Sequence, residues 1–267
     1  MRIARLAAAA LLALVFAVCL FPSLATSDSS DEQFRNEIDQ RPSVRYPLGT
    51  DELGRNRLSR LLTGTRTSLL LAPAAAFISV ALASAAALLG ISTGRAGNRV
   101  FELSADLMGS LPWLFVLIAL RASLPLDAPA TWSVVITFAV LAVLGWAGPA
   151  RVIRNVAASA NRQEYIMQAR ALGVPGWRLS TVYLLPNIWP VAAAQFWINV
   201  PVFILAEANL GLLGMGVSEP YASLGNQLKE LERVTAVVDK PWLLAPAVLL
   251  TTIVAAMWTV SSAKERI

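Results

Sequence analysis

The chain has 267 residues, 56% hydrophobic and 15% charged, with a formal net charge of +5 and a mean hydropathy of +0.59; soluble domains carry roughly 25% charged residues, so this composition describes a membrane protein. It contains no histidine and a single cysteine, Cys19, which excludes Ser-His-Asp triads, Cys-His pairs, His-ligated zinc or haem, internal disulfides and thiolate metal cages. No GxxxxGK[ST] occurs and the lysines Lys229, Lys240 and Lys264 all lie beyond residue 228, which excludes a P-loop, and arginines clustered between apolar runs argue for topology signals rather than nucleic-acid binding.

Six apolar runs approach the ~20 residues that cross a bilayer: 6–25, 68–91, 107–126, 131–150, 184–206 and 242–261. The expected fold is therefore all-α, a polytopic membrane protein with about six transmembrane helices. Arg2 and Arg5 precede the first run, which is longer than the apolar core of a signal peptide. Residues 1–25 are read as an uncleaved anchor. Residues 26–67 form a polar, turn-rich loop, punctuated by Pro42, Pro47 and Gly49. Leu58, Leu61 and Leu62 within it have helical spacing. A five-helix core, 68–262, follows and carries a polar loop at 151–185. Residues 263–267 are a tail.

With the N-terminus inside, the internal segments hold eleven arginines and lysines and the opposite side also holds eleven, seven of them in 26–67 beside seven acids. The short outer loops are poor in basic residues, and short loops carry most of the orienting signal. Both termini and the loop 151–185 are therefore expected in the cytoplasm, and 26–67 outside it. Asp106 and Arg121 read as interface anchors of the third run.

The loop 151–185 is too structured for a plain connector. Asn161 with Glu164 three residues later has the form of a capping box. Tyr165, Ile166, Ala169 and Leu172 then fall on one helical face. Arg170 suits the last turn of that helix, Gly173 its C-terminal cap and Pro175 the start of a second helix, which holds Trp177, Val182 and Tyr183 and runs to Pro186. The expected helix has ~11 residues, about 16 Å. Its apolar face needs a surface to bury against. Two surfaces remain open: the lipid interface, or a groove on a cytoplasmic partner.

Glu164-Tyr-Ile-Met-Gln-Ala-Arg-Ala-Leu-Gly173, followed by Leu184-Leu-Pro186-Asn187, resembles the EAA loop of binding-protein-dependent ABC importer permeases. Tyr46-Pro-Leu-Gly-Thr-Asp-Glu-Leu-Gly-Arg-Asn56 and Leu58-Ser-Arg-Leu-Leu-Thr-Gly-Thr-Arg-Thr-Ser68 resemble the signature of the dipeptide/oligopeptide/nickel permease subfamily. Ala206-Glu-Ala-Asn-Leu-Gly-Leu-Leu-Gly-Met-Gly216 is similar to the segment closing its fifth span. The family's Glu-Ala-Ala triplet falls on Met167-Gln168-Ala169, so its first two positions differ. The resemblance runs from about residue 45 to 260 and implies an ABC importer type I permease in the bacterial inner (plasma) membrane. It implies pairing with a second permease subunit, two cytoplasmic ABC ATPase subunits and an extracytoplasmic solute-binding protein. This chain would hold no cofactor, since ATP and Mg would be bound by the ATPases, and would not itself be an enzyme. The loop would be the coupling helix, with Glu164, Tyr165, Ala169, Arg170, Gly173 and Pro186 as its coupling residues, and the cargo a peptide or related small solute.

Intramembrane polar groups normally face a protein or water interior. Gln195 and Asn199 lie one turn apart on the fifth run, Pro201 follows, and Glu207 stands near its outer end. These three polar residues are the candidates for a translocation path, with interhelix hydrogen bonding as the alternative. Trp189 and Trp197 read as packing or belt residues. Two rival functions stay in view. One is an ion-gradient-driven secondary transporter, against which the near absence of charge at the span centres argues. The other is a structural membrane subunit that transports nothing.

Overall fold

The structure, a computed structural model, describes residues 2–22, 25–26, 28–123, 130–217, 219–232 and 238–261. Among them every extended regular element is helical. The longer helices are α1 (Arg2–Leu20), α2 (Arg57–Ser92), α3 (Gly94–Ser110), α4 (Trp113–Ala122), α5 (Ala130–Leu144) and α6 (Ala147–Ala160). They are followed by α7 (Glu164–Ala171), α8 (Gly176–Arg178), α9 (Leu185–Leu212), α10 (Leu224–Leu228) and α11 (Ala245–Ser261). A π-helical turn, Leu179–Leu184, joins α8 to α9, and a 3-10 turn, Pro241–Leu244, opens α11.

Five helical stretches are long and apolar enough to cross a membrane: Ile3–Leu20, Arg57–Ser92, Thr131–Ala160, Gly176–Leu212 and Pro241–Ser261. A sixth exists if α3 and α4 count together. The third expected span, 107–126, is not one straight helix, because the chain bends by 74° between Gly94–Ser110 and Trp113–Leu120. Pro112 supplies the reason. It offers no N–H to the preceding turn and disfavours helical backbone at the residue before it; Leu111 is accordingly extended, at φ −71° and ψ 122°. The expected side-chain role of Arg121 and the tail 263–267 lie outside the described residues.

Several expected boundaries move. α2 begins at Arg57, eleven residues before the core was expected to start. The fourth span continues through α6 to Ala160, so the connection expected at 151–185 is shorter by its first ten residues. The fifth is helical from Gly176, and α9 runs unbroken past Pro186, Pro190 and Pro201.

The chain forms two compact units. One comprises Met1–Ala72, Ile118–Phe138 and Pro201–Ile267, and the other Pro73–Leu117 and Ala139–Val200. In the first, α1 packs on α11. Backbones there approach so closely that only glycine fits: a Cβ on Gly211 would stand 2.1 Å from Gly225 Cα, and one on Gly64 2.7 Å from the Ser223 carbonyl carbon. These contacts seat the short helix α10 against α9 and α2. In the second unit, small residues again set the spacing. Ala83 and Ala87 of α2, Phe101 and Ala105 of α3, Ala150, Ile153 and Ala157 of α6 and Ile188 of α9 form one buried cluster, the close small-residue packing on which helices in lipid rely.

Candidate functional site

The loop between α6 and α9 is anchored on one face and bare on the other. Ile166 and Ala169 are buried with Ala160, Leu179 and Leu184. Tyr165 and Leu172, expected on the same face, are exposed, and Leu172 is 85% exposed. The 3.6-residue period had gathered four apolar residues, but the chain buries only two of them. Met167, Leu172 and Trp177 are large apolar side chains left exposed.

Gly173 ends α7 by a Schellman arrangement. At φ +79° it lets its own N–H reach the Arg170 carbonyl at 3.0 Å while the Val174 N–H reaches the Ala169 carbonyl at 3.1 Å. Pro175, at φ −66° and ψ 148°, then caps α8. The expected capping box is absent. α7 has eight residues, and its N-cap is Gln163, whose side chain makes no capping bond. Asn161 instead closes α6, its N–H bonding the Ala157 carbonyl, and its Oδ1 accepts from Arg170 Nη2 at 2.7 Å. Glu164 stands exposed in the first turn of α7, where the helix dipole favours an acid. Asn187 Nδ2 donates to the Tyr165 hydroxyl at 3.0 Å and to the Tyr183 carbonyl at 2.7 Å, which ties α7 to the start of α9. Pro186 has no N–H to return to the previous turn, and the widened turn Leu179–Leu184 lies directly before it.

Of the three polar residues expected on the path, Gln195 and Asn199 share one face of α9. Gln195 is half-buried in the second unit. Asn199, one turn on, is buried with its Nδ2 unpaired. Glu207 belongs to the first unit, where it is 1% exposed and accepts from Ser68 Oγ at 3.2 Å. A groove of about 600 Å³ runs between α2 and α9 of the second unit, lined by Phe77, Leu88, Trp189, Phe196 and Trp197 among alanines. The two tryptophans read as packing residues thus flank an open apolar groove.

Sequence reasoning missed an ionic clasp in the first unit. Arg55 Nε donates to Asp51 Oδ2 at 2.7 Å and its Nη1 to Glu219 Oε2 at 2.7 Å; Arg60 Nη2 reaches Glu219 Oε1 at 2.9 Å. Arg55, Arg60 and Asp51 are buried. Burial alone would lower the Arg55 guanidinium, but its bonds to Asp51 and Glu219 outweigh that and raise it. Arg57 pairs with Glu230, and Lys240 with Asp39. Only the Asp51–Arg55 spacing hinted at this, since Glu219 is 164 residues from Arg55.

Residues 69–263 match the family described as the inner membrane component of binding-protein-dependent transport systems, and the chain belongs to that family of membrane-embedded proteins. It is 34% identical over 244 residues to the di/tripeptide transport system permease protein DppC of Pseudomonas aeruginosa, covering 87% of this chain and 78% of that one. It is 30% identical over 218 residues to the dipeptide transport system permease protein DppC of Bacillus subtilis, covering 80% and 65%. With the oligopeptide transport system permease protein OppC of Mycobacterium bovis it shares 29% identity over 246 residues, 92% and 82% of the two chains. The chain spans about two thirds of the length of the Bacillus relative.

Proposed function

We infer that the chain is a permease subunit of an ATP-driven importer and forms half of a translocation path for peptides or a related small solute. The observation that carries this reading is the loop between α6 and α9. Buried Ile166 and Ala169 fix it to its own chain, the Gly173 turn shapes its tip, and exposed Leu172 and Trp177 face outward. A tip of this build, in a member of this family, suits helix-in-groove docking. Glu164, Tyr165, Ala169, Arg170, Gly173 and Pro186 are the coupling residues under this reading: Ala169 anchors, Gly173 turns, Tyr165 and Arg170 brace, Glu164 stays free to meet the partner, and Pro186 opens α9.

The partners are a second permease subunit, two cytoplasmic ATPase subunits that bind ATP and Mg, and an external solute-binding protein. The peptide-permease names of the relatives support the cargo class. The site is the bacterial inner membrane, with both termini inside. ATP binding favours one arrangement of the ATPase pair, and the loop passes that preference to the helices, since a ligand shifts a conformational equilibrium only by its differential affinity. Gln195, Asn199 and Glu207 remain the proposed polar residues of the path.

The test is access and capture. A cysteine at Ala171, in a Cys19→Ser background, resists membrane-impermeant labelling of intact cells, and photo-crosslinkers at residues 164–178 capture the cognate ATPases in membranes. Labelling from outside, or crosslinks to lipid alone, would refute the reading.

A further inference from the structure

Asn98, Glu102 and Asp106 lie four residues apart on α3 and so form one row along it. α6 presents two arginines to that row. Arg154 donates from Nε to Asn98 Oδ1 at 2.9 Å and from Nη2 to Glu102 Oε1 at 2.8 Å, with its guanidinium carbon 5.3 Å from the centre of the Phe101 ring. Arg151 Nη2 donates to Asp106 Oδ1 at 2.7 Å and to the Ala105 carbonyl at 3.2 Å. Gly109 leaves space for it, since a Cβ there would stand 3.1 Å from Arg151 Nη2. Alongside the row, Phe101 and Ala105 are buried with Ala150, Ile153 and Ala157. An apolar seam and a polar row together leave α3 little freedom to slide along α6.

Both ends of this pair lead somewhere. α3 stops at the 74° bend beside Leu111 and Pro112. α6 stops at Asn161, which accepts from Arg170 of α7. Bonded groups therefore run without interruption from the α7 tip, through α6 and α3, to the bend.

We propose that Arg151 and Arg154 are positioning residues that lock α3 onto α6, so that α7, α6 and α3 move as one arm and carry displacement of the tip to the bend at Leu111-Pro112. The source of that displacement rests on the docking reading given above; the rigidity of the arm does not. Exposed ion pairs such as Arg151–Asp106 add little stability, so the row serves register: it decides which residues of α3 oppose which of α6.

The experiment uses the full chain in lipid nanodiscs in a Cys19→Ser background. Spin labels at Leu107 and Leu172 report the arm, and labels at Val100 and Phe115 report the bend; all four side chains are exposed. The native chain gives a narrow distance distribution for each pair. In the variant Arg154→Glu the Leu107–Leu172 distribution broadens and its mean shifts, as it does in the double variant Arg151→Ala, Arg154→Ala. Adding Glu102→Arg to Arg154→Glu returns it to the native width, which a misfolded chain would not do. An unchanged distribution in either variant overturns the proposal, and so does a broadening of Arg154→Glu that Glu102→Arg fails to reverse. In vesicles containing the cognate ATPases and second permease, Arg154→Glu lowers uptake of a labelled dipeptide about tenfold while ATP hydrolysis persists; uptake matching that of the native chain overturns the arm's role in transport. If the ATPases do not bind native α7 at all, the docking reading fails, and the spin-label result still decides the arm.

Discussion

At Gly173 the constraint is the backbone and not the space. Nothing lies within 4 Å of where its Cβ would stand, yet φ is +79°. Valine there would strain the turn by about 1–2 kcal/mol, too little to unfold the chain and enough to redirect the tip. Gly173→Val is therefore expected to reach the membrane at native levels while losing most of its crosslinking to the ATPases; immunoblots of membrane fractions and crosslink yields check both. Tyr46 offers a second residue-scale test. It is buried and its hydroxyl bonds the Glu37 carboxylate. Burial first, and that bond second, push its pKa up to about 12. The folded value lies above the unfolded value of about 10, so the neutral phenol contributes stability that is full below pH ~10 and is lost as pH rises through about 12. The ultraviolet difference titration of the native chain against Tyr46→Phe should show this late phenol, and a difference titrating at the ordinary tyrosine value would contradict the buried contact.

Among the elements, the ionic clasp binds segment 51–60 to Glu219. Removing Asp51 leaves the buried Arg55 and Arg60 with Glu219 as their acid, so the cost falls below the ~3–5 kcal/mol of a buried charge left wholly unpaired. Asp51→Ala strips the carboxylate from Arg55 and should lower the thermal unfolding temperature of the purified protein markedly, whereas Arg45→Ala, whose pairing to Glu37 is exposed, should leave it nearly unchanged. Helix α2 shows why this was hard to read from sequence. Its apolar half is plain, and Leu58, Leu61 and Leu62 give its more polar first turns a helical spacing; what no local pattern records is that Arg57 and Arg60 there find acids more than 150 residues away. The same holds for Asn161. Its spacing to Glu164 fits a capping box, yet tertiary contacts assign it to α6 and Arg170. By contrast, the turn at Gly173-Pro175 is local chemistry, and it was legible. The row on α3 is half legible: the spacing of Asn98, Glu102 and Asp106 is visible, but their arginine partners are not.

For the molecule as a whole, the spans were readable because a bilayer demands continuous apolar length, while the bend at Pro112 was hidden inside one such run. Hydropathy averages over a window and does not see a single missing N–H. The same apolar composition bears on how the protein is driven. Glu207 is buried in a span and held by Ser68, and no second acid lies among the described residues of α9, so a relay of carboxylates for ion coupling is lacking there. Proteoliposomes of the chain with its partner subunits should accumulate a labelled dipeptide when ATP is supplied on the ATPase side. A proton or sodium gradient without ATP should give none, and gradient-driven uptake would instead establish the secondary transporter.

The widened turn at Leu179–Leu184 holds one residue more than an ordinary coil of helix would need. Loss of a single residue inside it can be absorbed by tightening to normal winding, with the upstream and downstream faces still aimed as before. The same loss in the body of α9 would twist one half against the other by about 100°. The chain thus carries slack where α8 meets α9, and length changes arising there are the ones this architecture tolerates.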